Sequence, residues 1–260
     1  VLGQAIGAIL PVKRLLKDKK SASFQETRLQ FRNQALSYGL RAHPSTILNI
    51  FNYRLDMILL GAMAGSIEVG IYAVAVLIAE RLRMLSAAVS TVLLPTIASM
   101  ADKEDERRAL TCSAARITGL LTVAGALGVG VLSQYLIVPI FGDAYRQSAT
   151  ALVLLLPGIV LHTWGAVFGN DLAARGKPEL NAWIAALNLS INVAANLLLI
   201  PDYGILGASI ATSLSYSAFA IASAIAYLHV TKQSKDALIR LNRFDKHALD
   251  VTLKAVGRKP

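Results

Sequence analysis

The sequence predicts an all-α transmembrane fold of six full membrane helices plus a truncated one. Three observations predict it. Hydrophobic residues make up 55% of the 260 residues and charged residues only 16%, against about 25% charged in an ordinary soluble domain. Four stretches carry no Asp, Glu, Lys or Arg: Ile117–Phe141, Gln147–Asn170, Leu180–Pro201 and Tyr203–Thr231. Each reaches the roughly 20 apolar residues that a helix needs to cross a hydrocarbon core about 30 Å thick. The basic residues, finally, gather in alternate loops.

The elements can be taken in chain order. Residues 1–12, Val1–Val12, form an apolar run without charge. It lacks the basic start and the small-residue cleavage site of a secretory signal, so it reads as the end of a truncated transmembrane helix. Residues 13–43 read as a basic cytoplasmic linker. Within it, Ser21–Leu40 mixes Phe24, Leu29, Phe31, Leu36 and Leu40 with Arg28 and Arg32, the composition of a helix lying in the interface. Residues 44–231 read as a six-helix transmembrane bundle, opened by Pro44–Met63 and Val69–Met100 and completed by the four charge-free stretches. Residues 232–260 read as a basic cytoplasmic tail.

Orientation comes from the 26 basic residues. Lys13–Arg41, Lys103–Arg116, Arg175, Lys177 and the tail after Thr231 place 22 of them on one side, Arg146 stands alone on the other, and Arg54, Arg81 and Arg83 lie inside spans. Basic loops stay in the cytoplasm, so both the linker and the tail are expected there, in the inner (cytoplasmic) membrane of the cell. The net charge of +10 is then a topology signal, and nucleic acid is excluded as a partner.

The remaining loops are short. Ala64–Glu68, Gly142–Arg146 and Asp202 leave no room for an external catalytic domain, and Ala101–Arg116 reads as a solvated connector. Arg175-Gly176-Lys177-Pro178 reads as a tight turn, and Asp171, four residues before Arg175, as half of a helix-end ion pair. Pro157 falls in mid-span and is expected to kink its helix or free a carbonyl. Cys112, the single cysteine, rules out an internal disulfide or thiolate cluster. No nucleophile motif, phosphate-cradling loop or metal-ligand cluster appears. No catalytic residue, cofactor or metal is expected, and the chain does not read as an enzyme.

The informative residues are charges at membrane depth. Arg54 and Asp56 sit midway along Pro44–Met63, and Glu80, Arg81 and Arg83 lie at a similar depth in the next span. A charge at the bilayer centre costs several kcal/mol unless it is paired or faces a wet cavity. Arg54 and Asp56 point about 200° apart on one helix, so each needs a partner elsewhere: Glu80 for Arg54, and Arg81 or Arg83 for Asp56. Three cations against two anions leave one spare. That favours a hydrated cavity holding an anionic group over an ion-pair lock between helices. Asn188, Asn192 and Asn196 are spaced by four along one face, as are Ser209, Ser213 and Ser217. The serines read as hydrogen-bonding glue between helices. For Asn188 and Asn192, glue and contact with sugar hydroxyls both stay open. His162 reads as a packed, hydrogen-bonded residue.

A family resemblance rests on Asn52-Tyr53-Arg54-Leu55-Asp56-Met57-Ile58-Leu59-Leu60, Val69-Gly70-Ile71-Tyr72-Ala73-Val74-Ala75, Glu80 and Leu94-Pro95. It is joined by Leu199-Ile200-Pro201-Asp202-Tyr203-Gly204-Ile205-Leu206-Gly207-Ala208-Ser209-Ile210-Ala211-Thr212. In order and spacing these resemble the O-antigen and polysaccharide flippases, from about Ser37 to Tyr227. That family shares a superfamily with multidrug antiporters and lipid II flippases. The resemblance implies two six-helix bundles around a cavity open alternately to each side, this chain matching the end of the sixth helix and the second bundle. It implies a missing N-terminal half as partner, membrane lipid as surroundings and a lipid-pyrophosphate-linked oligosaccharide as cargo. Arg54, Arg81 and Arg83 match the cavity cations such proteins turn towards pyrophosphate and sugar acids. Two rivals are a cation-coupled multidrug antiporter of the same superfamily, using Asp56 or Glu80, and a membrane enzyme of polysaccharide assembly, which the short external loops disfavour.

Overall fold

The computed structural model describes residues 22–99, 103–239 and 244–245. The expected truncated helix at 1–12 lies outside them. Nearly all described residues are helical, and there is no strand among them. Two compact units divide the chain at residues 1–40 and 41–260. In the first, residues 22–40 are helical. The second holds the helical bundle.

The helices are α1 (Ala22–Asn52), α2 (Leu55–Ala64), α3 (Ser66–Ser99), α4 (Glu104–Phe141), α5 (Arg146–Ala174), α6 (Pro178–Thr231) and the short α7 (Asp236–Ile239). One 3-10 turn, Asp143–Tyr145, joins α4 to α5. Pro44, expected to open a helix, instead lies inside α1. By length and composition four segments suffice to cross a membrane: Ser37–Ala64, Glu104–Phe141, Asp143–Ala174 and Pro178–Thr231. The 34-residue α3, interrupted by Glu80, Arg81 and Arg83, is not among them.

The 54 residues of α6 would reach about 81 Å if straight, far beyond any bilayer. The helix instead folds back at Gly204, whose φ of 52° and ψ of −127° are not helical. A positive φ is cheap only without a Cβ. Beyond the bend Gly207 comes so close to the first arm that a Cβ there would lie 2.3 Å from the Leu199 carbonyl oxygen. Asn192 on the first arm donates to the Ser215 hydroxyl on the second at 3.3 Å. The two arms, 178–203 and 205–231, are therefore antiparallel neighbours.

The packing is inverted relative to a soluble protein. Leu120, Leu127, Val131, Ile140, Trp183, Leu198, Ile221 and Ile225 point outward. Thr111, Thr122, Ser148, Thr163, Asn192, Asn196, Ser209 and Ser215 are buried. Soluble domains rarely present so continuous an apolar exterior, whereas bilayer helices put apolar side chains outside and use small polar ones to bond each other.

The core joins Leu60 of α2, Tyr72 and Ala79 of α3, Leu152, Leu155 and Ile159 of α5, and Ile200 and Ile205 at the α6 bend. The tightest seam lies between α5 and the second arm of α6. A Cβ on Gly158 would meet the Ser213 backbone at 2.5 Å, and one on Gly165 the Ala220 backbone at 2.6 Å. At that approach the Ser213 hydroxyl enters the α5 ladder. It accepts from the Gly158 N–H at 3.3 Å and donates to the Leu154 carbonyl. One residue past Pro157, then, a serine from the next helix bridges a donor and acceptor that would otherwise bond each other.

One connector is corrected. The segment before Arg116 is not solvated loop: from Glu104 onward it is the first part of α4, and Arg107, Thr111, Cys112 and Ser113 are buried. Asp171 draws it in. Its carboxylate accepts from Arg107 Nε at 3.1 Å and from the Thr111 hydroxyl at 3.3 Å, and it is ion-paired with Arg175. Arg175 reaches on to Glu104 at 2.7 Å. Burial alone would lower the Arg175 pKa, but Asp171 and Glu104 hold it above the ordinary guanidinium value. The start of the tail folds back as well. Arg116 donates to the Ala237 and Leu238 carbonyls and pairs with Asp245.

Candidate functional site

A cavity of about 400 Å³ opens among Tyr53, Glu80, Arg81, Arg83, His162 and Asn170, and charged and polar side chains form much of its wall. Three elements build it. Tyr53 stands at the break between α1 and α2, Glu80 to Arg83 form one turn of α3, and His162, Ala166 and Asn170 form an i, i+4, i+8 stripe on α5.

The break is the unusual part. Asn52, Tyr53 and Arg54 lie inside a segment apolar enough to span a membrane, yet the helix is interrupted at Tyr53 and Arg54. The Arg54 N–H turns to the Phe51 carbonyl at 3.1 Å. Broken backbone at membrane depth is tolerated where it lines a cavity or is covered by protein, and here it borders the cleft. Asn52 beside it is 2% exposed, and neither its amide nitrogen nor its oxygen has a partner among the described residues.

Within the cleft Arg83 is the organising group. Its guanidinium carbon lies 3.8 Å from the centroid of the Tyr53 ring, a cation–π contact. One of its nitrogens donates to the Tyr216 hydroxyl at 3.4 Å. His162 fills the wall behind, with ring centroids 4.6 Å from both Tyr216 and Phe219. Arg81 is exposed, and its described contact is a weak one of 3.9 Å to the Met84 sulfur. Along α3 the exposed stripe continues through Met84, Ala87 and Thr91.

The sequence candidates separate into three places. Glu80, Arg81 and Arg83 share the cleft. Arg54 is exposed at the helix break, outside the lining residues, and no described ion pair joins it to Glu80. Asp56 is buried elsewhere: its carboxylate accepts from the Tyr72 hydroxyl at 2.8 Å, the Met57 N–H at 2.8 Å and the Thr212 hydroxyl at 3.4 Å. The expected pairing with Arg81 or Arg83 gives way to this hydroxyl cage, because Tyr72 and Thr212 reach Asp56 from two neighbouring helices. Asn188 and Asn192 are buried at 1% and 0% exposure. Asn192 bonds Ser215 and accepts from Asn196, so it lies in the seam of the α6 hairpin. Asn188 has no described partner for either side-chain atom.

Tyr53, His162 and Asn170 were not singled out for this site from sequence. His162 and Asn170 fall eight apart in an otherwise uncharged span, and that spacing was the available signal. Among the described residues no group of three His, Cys, Asp or Glu side chains is placed to hold a metal.

Comparison with known proteins gives the family and the fold. The sequence model of a family described as "Polysaccharide biosynthesis protein" matches residues 20–150, half of the chain. The chain belongs to that family. Among its relatives is the probable low-salt glycan biosynthesis flippase Agl15 of Haloferax volcanii, 24% identical over 217 residues. That match covers 83% of this chain and 45% of the relative. The probable flippase AglR of the same organism is 30% identical over 166 residues, covering 62% of this chain and 35% of the relative. The chain thus spans less than half the length of either. Two solved structures share the fold. One is an outward-facing multidrug resistance MATE transporter of the MOP superfamily, with a TM-score of 0.67 at 16% identity over 79% of this chain and 49% of the other. The other is the lipid II flippase MurJ, inward closed, with a TM-score of 0.53 at 13% identity over 96% and 53%. The family match gives the chain's membership, and the two solved structures give its fold. Its apolar helices make it a multi-pass membrane protein.

Proposed function

We propose that the chain is one bundle of a two-bundle transporter that flips a lipid-linked oligosaccharide across the cytoplasmic membrane. The observation that carries this reading is the polar cleft: two arginines and a carboxylate against an aromatic wall, inside a helical bundle whose exterior is apolar. Membrane helices take charge to that depth where it serves a pathway. A pyrophosphate offers the negative charge that Arg81 and Arg83 lack in full, and Glu80, Tyr53 and Asn170 offer hydrogen bonds to sugar hydroxyls. Arg54, exposed at the break, is the third cation for the same cargo. The exposed stripe of Arg81, Met84, Ala87 and Thr91 is the wall a second bundle would face.

Six spans suit the reading: α1 with α2, α3, α4, α5 and the two arms of α6. An even number returns linker and tail to one side, the cytoplasm, as the basic residues require. On α5 the cleft stripe runs from His162 towards Ala174, the end that carries Arg175 and Lys177, so the cleft opens towards the side where cargo is made.

The test joins the chain to a first bundle in cells lacking their own flippase. Arg83→Ala and Arg81→Ala should each abolish surface glycan with membrane levels unchanged. Full glycan display from both variants would remove the cleft from the cargo path.

Asp56 supports a second reading, cation coupling as in a multidrug antiporter. It is a buried carboxylate whose described partners are hydroxyls and an N–H, with no cation, so a proton or monovalent ion would complete it. Asp56→Asn should then abolish gradient-driven drug efflux. Lost glycan display with no change in drug tolerance decides for the flippase.

A further inference from the structure

We propose that an anionic phospholipid of the leaflet on the basic side is bound in a groove between α4, α5 and the second arm of α6. The groove is distinct from the polar cleft. A cavity of about 700 Å³ is walled by Leu120, Val123, Val160, Trp164, Ile225 and Leu228. A second of about 680 Å³, with Leu127, Val131 and Leu156, shares Val123 and Val160 with the first. The two therefore adjoin. Along α4 they run from Arg116 to Tyr135, roughly 28 Å at 1.5 Å per residue, about the thickness of a hydrocarbon core.

Charge fixes which end holds the headgroup. Among the lining residues the only charged ones are Arg116 and Lys235, both at the end where the tail folds back. Arg116 is committed to Asp245 and to the Ala237 and Leu238 carbonyls. Lys235 is exposed, with no ion pair among the described residues. The Arg116 contacts also hold α7 in place, so Lys235 and Leu238 form a fixed lip at the mouth. Trp164 lies just inside it, in the position an amphipathic ring takes at a membrane interface. A headgroup phosphate on Lys235 with an acyl chain along Leu120 and Val160 satisfies both halves of the site.

The faces of α5 decide against the cargo as occupant. Val160 and Trp164 face the groove, whereas His162 and Ala166 face the cleft. Positions two apart on a helix point about 200° from each other. A lipid in the groove and a headgroup in the cleft thus lie on opposite sides of one helix, and a single molecule does not serve both.

Tryptophan supplies the test, because the chain holds two, Trp164 and Trp183. The full chain with Trp183→Phe, reconstituted in vesicles, reports Trp164 alone. Brominated phosphatidylglycerol should quench it at a mole fraction about fivefold lower than brominated phosphatidylcholine, the weight of one lysine beside an anionic headgroup. Lys235→Gln should erase that difference while far-ultraviolet circular dichroism stays helical. Equal quenching by both lipids, or a preference that survives Lys235→Gln, overturns the proposal. So does relief of quenching by a polyisoprenyl pyrophosphate at a lower fraction than by unbrominated phosphatidylglycerol, which would make the groove a cargo site.

Discussion

Asp171 is 0% exposed and meets Arg107, Arg175 and Thr111. Its electrostatics are of a different kind from those of the cleft. At Asp171 each charge is spent on another protein group, and the side chains of Arg107 and Arg175 are only 6% and 10% exposed. At the cleft Arg83 touches the Tyr53 ring and the Tyr216 hydroxyl and Arg81 the Met84 sulfur, with no ion pair to either among the described residues. Removing one member of a buried pair strands the other, at a cost of about 3 to 5 kcal/mol. Asp171→Ala should therefore lower the thermal unfolding midpoint sharply and deplete the protein from membranes. Arg107→Met with Asp171→Leu should recover part of that loss, since Arg175 loses Asp171 but keeps Glu104. Arg81→Ala, which strands no anion among the described ion pairs, should leave the midpoint within a degree or two of wild type. A drop as large as that of Asp171→Ala would show Arg81 to be a structural group.

Elements are joined here by close approach and by hydroxyls more than by bulk. The α5 seam needs Gly158 and Gly165, one heptad apart, because the α6 backbone occupies the space of their Cβ atoms. Gly165→Leu should force the helices apart and destabilise by about 1 to 3 kcal/mol, the usual range for overpacking. Ser213→Ala should cost only about 1 kcal/mol, since Gly158 N–H and Leu154 C=O can then bond each other. Thermal unfolding in detergent compares the two. A larger loss for the serine would show that the inserted hydroxyl, rather than the glycine contact, holds the seam. The bend at Gly204 belongs to the same scale. Gly204→Ala puts a Cβ on a residue with φ of 52° and should cost about 1 kcal/mol or more.

For the whole molecule the open prediction is sidedness. Cys112 is 3% exposed and its sulfur lies 3.7 Å from the Tyr227 hydroxyl, so its failure to react would say nothing about topology. Reporters belong at exposed positions in a Cys112→Ser background. Ser66→Cys and Asp202→Cys should react with an impermeant thiol reagent from outside intact cells, and Lys177→Cys only after the cells are opened. Ser66 is preferred to Gly65, whose φ of 96° suits glycine alone. Labelling of Lys177→Cys in sealed cells would invert the orientation. The second expectation at this scale is that these residues do not transport alone, because a cavity between two bundles needs both walls. Restored surface glycan from the chain by itself would mean instead that two copies build the cavity.

Much of the fold was legible in sequence, because lipid imposes its constraint locally. A run of some 20 apolar residues must be helical wherever it goes, since its backbone has no other partner in hydrocarbon. Ile117–Phe141 and Gln147–Asn170 could thus be read without their neighbours. So could the charges at depth, since Glu80, Arg81 and Arg83 stand out against their surroundings. Which group each charge meets was not legible. Asp56 has its cage because Tyr72 and Thr212 arrive from helices distant in sequence, and spacing along one helix carries no record of that. Asn188 and Asn192 share a face by their spacing, but only packing shows that the face lies in a protein seam rather than the cleft. The break at Tyr53 and Arg54, the bridge at Ser213 and the groove beneath Lys235 each depend on contacts between elements. The sequence by itself determined a basic-sided membrane bundle with charge inside. Tertiary structure decided which of those charges are paired within the protein, as Asp171 is with Arg107 and Arg175, because pairing depends on distances between helices.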